Sequence, residues 1–83
     1  MASTTSSGSG DQLAYRLFAV NVRRARESKG LSVPELARRT GRKVEYIEAV
    51  EMAQVTNLKI REVKVFATAL GVDEADLVGP QVP

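Results

Sequence analysis

The 83-residue chain contains no cysteine and no histidine. Without cysteine it can hold neither a disulfide framework nor a thiolate metal site, a composition that fits a reducing cytoplasm. Without histidine, Ser/His/Asp and Cys/His nucleophile systems and the usual zinc sites cannot be built. A glycine-rich phosphate loop of the GxxxxGK(S/T) kind is also missing. Scattered Asp, Glu and Lys are all that remain for catalysis, so the sequence does not read as an enzyme's and implies no cofactor or metal. No apolar run approaches membrane-spanning length, and the first residues lack the hydrophobic centre of a signal peptide. The expectation is a cytoplasmic chain with no membrane partner.

What is present is charge, unevenly placed. The net charge is only +2, yet all twelve Lys and Arg lie between Arg16 and Lys64. Over residues 12 to 72 they face six acids, Glu27, Glu35, Glu45, Glu48, Glu51 and Glu62, a surplus of six positive charges. Asp11 and the group Asp73, Glu74 and Asp76 flank this basic segment. A compact segment of that sign favours a polyanion as partner. The length allows one small domain with one core, near the lower size at which a core suffices.

The opening "MASTTSSGSG" is small, polar and uncharged, and reads as a tail over residues 1–10 that cannot bury enough surface to order itself. The expected domain covers 11–79, and residues 80–83 read as a flexible end. The first helix is expected from Asp11, its N-cap, to Lys29, with Leu13, Leu17, Val20, Phe18, Val22 and Ala25 at helical spacing. Gly30 ends it. Ser32-Val-Pro-Glu35 is a capping box with proline in the first turn, and it opens a second helix that stops at Gly41. A third helix spans roughly Lys43 to Met52, with Ile47 and Val50 facing inward. After a loop from Ala53 to Leu58, a fourth runs from about Lys59 to Leu70, with Ile60, Val63, Phe66, Ala67 and Leu70 on its buried face and Gly71 as its cap. Asp73 caps a last short helix through Leu77, and "GPQVP" forbids its continuation. The pattern is all-α, with neither strand nor repeat.

The residues "VRRAR", "KGLS", "ELARRTG", "YIEAVE" and "ATALGVDEADLV" together resemble the Cro/cI-type helix-turn-helix family, also called the XRE family, over about Phe18 to Val78. The resemblance implies a compact five-helix, lambda-repressor-like domain of bacterial or phage origin that binds duplex DNA as a transcriptional regulator, often a repressor. The third helix would lie in the major groove, and the working form would be a homodimer on two half-sites. It also implies a structural ion pair between Arg26, ending the first helix, and Glu51, ending the third. A partial resemblance to the helix-turn-helix domain of RodZ-type proteins, in "RARESKGLS" and "YIEAVE", offers the alternative of a protein-interaction module with little DNA affinity.

The family's position for a DNA-touching glutamine is Val33 here. The exposed front of the third helix reads Arg42, Lys43, Val44 and Glu45, with Glu48 one turn on, where Ser, Gln, Arg or Thr are usual. A glycine usual after the third helix is Ala53. Base discrimination rests on bidentate Arg–guanine or Asn/Gln–adenine pairs, which this front does not offer. Glu45 can accept from cytosine N4, or simply favour the helix dipole. Phosphate contact remains open to Arg38, Arg39, Arg42 and Lys43 around the turn, and to Asn57, Lys59 and Arg61 near the fourth helix. Tyr46 either packs across the turn or reaches a phosphate. Specificity is expected to be low for the family, supplied in part by Arg42, the 54–57 loop or DNA shape.

Overall fold

The computed structural model describes residues 2–55 and 58–80, with side chains from residue 13 onward. Five helices follow in order: α1 (Ala2–Ser28), α2 (Val33–Thr40), α3 (Val44–Glu51), α4 (Ile60–Leu70) and α5 (Glu74–Val78). No strand occurs among the described residues. α1 starts at Ala2, not at Asp11, so the backbone of the expected tail is helical from residue 2. Once one turn exists, each upstream residue fixes its own dihedrals in return for one hydrogen bond, and no proline interrupts this stretch. Residues 81–83 of the expected flexible end lie outside the described residues.

Local signals set the other boundaries. Ser32 Oγ accepts from the Glu35 N–H at 3.2 Å, and the Ser32 N–H donates to Glu35 Oε1 at 2.8 Å. This reciprocal pair holds the start of α2. Its end is turned by Gly41 at φ 70°. There the Gly41 N–H meets the Arg38 carbonyl at 3.3 Å and the Arg42 N–H meets the Ala37 carbonyl at 3.0 Å, the two-bond ending that needs a left-handed residue.

The core is one cluster of Phe18, Val22, Leu31, Leu36, Ile47, Val50, Val63, Phe66, Leu70 and Leu77, with the smaller Ala37 and Ala67 buried among them. Phe18 meets Phe66 edge-to-face at 5.4 Å between centroids, the geometry that ring quadrupoles favour. Three residues expected on buried faces are instead exposed: Leu13, Val20 and Ile60. Periodicity assigns a residue to a helix face, but it does not say whether another element covers that part of the helix. Ile60 is the first residue of α4, and Leu13 and Val20 lie on a flank of α1 that faces away from the core.

Two polar contacts fasten what apolar packing alone would leave loose. The buried Asn21 amide donates to the Leu77 carbonyl at 3.0 Å and the Gly79 carbonyl at 2.8 Å, joining α1 to the end of α5. α5 is only five residues long and could not persist alone. Arg26 engages Glu51 with two nitrogens, Nε at 2.7 Å and Nη2 at 3.0 Å, and its Nη1 donates to the Leu31 carbonyl at 2.9 Å. One side chain thus ties α1, the α1–α2 turn and the end of α3 together. The pair is nearly buried, with side-chain exposures of 13% and 9%.

α3 ends with the same two bonds as α2, from Ala53 to Val50 and from Gln54 to Ala49. Here the left-handed residue is Ala53, at φ 57° the only non-glycine with positive φ among the described residues. Its Cβ crowds the following carbonyl, a strain of roughly 1–2 kcal/mol, while glycine carries a compensating entropy cost in the unfolded chain. Ala53→Gly is therefore expected to raise stability by about 1 kcal/mol and Tm by roughly 4–8 °C; an unchanged or lower melting temperature contradicts the strain. Glu51→Ala, which strands the Arg26 charge, is expected to cost about 3 kcal/mol in chemical denaturation. A loss below 1 kcal/mol would show the pair to be dispensable.

Candidate nucleic-acid interface

α2 and α3 are joined by the turn at Gly41, and α2 also packs on α4. The side chain that follows the glycine links all three. Arg42 forks onto Glu62, with Nε to Oε1 at 3.1 Å and Nη2 to Oε2 at 2.6 Å, and its Nη1 reaches the Thr40 carbonyl at 3.3 Å. The Tyr46 hydroxyl donates to the same Glu62 Oε1 at 3.3 Å, and its ring leans on Phe66 at 6.4 Å between centroids. The start of α3 is thereby held beside the first turn of α4.

The electrostatics of this triad are self-consistent. Hydrogen bonding from Arg42 holds the Glu62 carboxyl below the usual carboxylate range, and hydrogen bonding to Glu62 raises Arg42 further. Burial, then the charge of Glu62, pushes the Tyr46 phenol up. At neutral pH the pair is ionised and the phenol keeps its proton, so each hydrogen bond has its donor and acceptor in place.

Around this triad the residues singled out in the sequence take different positions. Arg38, Lys43, Lys59 and Arg61 are exposed, as are Glu45 and Glu48 on α3. Lys43 and Lys59 are the N-caps of α3 and α4, and neither lysine side chain caps its own helix. Each of these helix starts is the positive end of a helix dipole. Arg39 is exposed and reaches the Ala69 carbonyl at 3.4 Å, near the end of α4. Asn57 lies outside the described residues.

Two placements correct the sequence reading, and a third decides between its alternatives. Val44 does not stand on an exposed front; it is half-buried against the core, as is Val33. Tyr46 packs across the turn. Arg42 is engaged by Glu62, where the sequence suggested a contributor to the outer rim. Nothing in the sequence marks Glu62 as a site residue, because a carboxylate in a helix's first turn reads as a partner of the dipole and nothing local points to an arginine so far upstream. Lys64 is a further cation that local patterning does not single out. It is exposed and lines a shallow depression with Lys59, Ile60 and Arg61.

The pattern of a helix-turn-helix domain family matches residues 17–78 of the chain. Among solved structures, the chain is similar to the hypothetical transcription factor NHTF from Neisseria, at 36% identity and a TM-score of 0.78 over 84% of this chain and 79% of that one. It is also similar to the restriction-modification controller protein C.AhdI from Aeromonas hydrophila, at 32% identity and a TM-score of 0.70 over 76% of this chain and 94% of that one. No curated protein matches. The capped α2, the glycine turn into α3, the Arg26–Glu51 tie and the matched pattern over residues 17–78 agree: the chain belongs to the helix-turn-helix domain family, in its Cro/cI-type branch.

Proposed function

We propose that the domain binds duplex DNA and regulates transcription, with α3 entering the major groove while flanking cations hold phosphates. The observation that carries this reading is that Arg38, Lys43, Lys59 and Arg61 are all exposed, with Lys43 and Lys59 at the starts of α3 and α4, which their own side chains leave uncapped. Exposed cations and helix N-termini suit a phosphate backbone. The two solved relatives, named as a transcription factor and a controller protein, support a regulatory role. Such a domain acts by occluding a promoter or recruiting to it, and works as a homodimer where two half-sites are read together.

Base reading on this surface is sparse. With Val44 turned inward and Arg42 committed to Glu62, the outward residues of α3 with hydrogen-bonding side chains include Glu45 and Glu48. Neither makes the bidentate Arg–guanine or amide–adenine contact worth roughly 1–3 kcal/mol of discrimination. Their two exposed carboxylates favour a second reading, a protein-interaction module of the RodZ type.

Charge reversal of Lys43 and Arg61 together is expected to weaken binding to every duplex and to reduce the salt slope by about 2. Unchanged affinity would move the binding surface elsewhere. Glu45→Gln is expected to tighten binding to arbitrary DNA by removing repulsion from phosphates. Loss of binding to a cognate site in that variant would instead make Glu45 a base reader. If neither parent nor variant binds any duplex at low salt, the protein-interaction reading replaces this one.

A further inference from the structure

The cations near the α2–α3 turn are not equivalent. Arg38 and Lys43 are exposed, whereas Arg42 has its Nε–Nη2 edge closed by both oxygens of Glu62 and is 32% exposed. That edge is the one a guanidinium offers side-on to a phosphate. Glu62 occupies it with a side chain only 18% exposed, and Tyr46 supports the carboxylate from a third direction. A phosphate drawing Arg42 away would leave a largely buried carboxylate without its cation, close to the incoming negative charge. Both terms oppose the exchange.

We infer that Glu62 is an affinity-setting residue that holds Arg42 off the nucleic-acid backbone and removes one phosphate contact from the interface. The inference rests on the duplex-DNA reading above. It adds that the domain binds DNA of any sequence more weakly than its count of turn cations implies, because this arginine and its carboxylate together present no net charge. The loss is independent of sequence, since a phosphate contact carries no base information.

The test uses a random-sequence duplex and a fluorescence-anisotropy titration of the whole chain across a salt series. Glu62→Gln keeps an acceptor for Tyr46 and Arg42 but leaves the guanidinium charge uncompensated. It is expected to tighten binding about eightfold at ~0.1 M salt and to steepen the salt slope by about 0.9, the effect of one added phosphate contact. The double variant R42M/E62Q is expected to return affinity and slope to the parent's. No gain in Glu62→Gln overturns the inference. So does a gain that persists in the double variant, because it would come from deleting a negative charge and not from releasing Arg42.

R42M/E62L, which replaces the pair by apolar groups, provides a second route if Glu62→Gln unfolds. It is expected to match the parent's slope, and a slope flatter by about 0.9 would mean that Arg42 already touches phosphate. Absence of binding by the parent and every variant overturns the DNA reading and this inference together. Binding by the parent with no change in the variants overturns this inference alone.

Discussion

The bond between Arg26 and Glu51 is the constraint on which the placement of α3 depends. α3 has only eight residues, too few to be stable by its own hydrogen bonds, and its orientation must come from outside. Ile47 and Val50 supply burial, but apolar contacts tolerate some sliding and rotation. The bidentate pair does not: two N–H···O bonds fix the distance and the plane of approach between α1 and the end of α3. Its third contact, to the Leu31 carbonyl, adds the α1–α2 turn to the same point. The other end of α3 is held by a second fork, Arg42 on Glu62. A short helix is thus pinned near both termini by planar arginine pairs, and its middle is left to the core.

Much of this was legible from local chemistry. The Ser32 capping box, Gly41 and Gly71 each act within a few residues of their position in the chain, so the helix boundaries they mark could be read without knowing the fold. The Arg26–Glu51 tie followed only from family resemblance, because no spacing rule links residues so far apart. Arg42 and Glu62 belong to neither class. Their pairing depends on how α2, α3 and α4 close together, and no pattern in the sequence reports it. The misplaced Val44 and Ile60 have a related cause, since a helical period gives a direction and not a neighbour.

Charge counting has the same limit at the surface. The surplus of six positive charges in the basic segment is a correct sum, but the structure divides it. Arg26 and Arg42 are neutralised by carboxylates in the fold, and Arg23 is paired with Glu27 along α1. The cations that remain outward near α3 and α4 are fewer, and three of them, Lys59, Arg61 and Lys64, line one depression. A polyanion meets that local field, and the chain's total charge matters less than which arginines the fold has already used.

The lysine caps of α3 and α4 have a thermodynamic consequence. α2 begins with a side chain that satisfies its own helix start, while α3 and α4 begin with residues that do not. A Ser, Asp or Asn at such a position typically adds about 1 kcal/mol to a domain's stability. A redesign for heat resistance would install those residues first, and in doing so would occupy both helix starts with the protein's own oxygen. The most direct route to a hardier domain therefore alters the helix starts on which the proposed DNA contact rests, a trade between stability and activity located at two backbone termini.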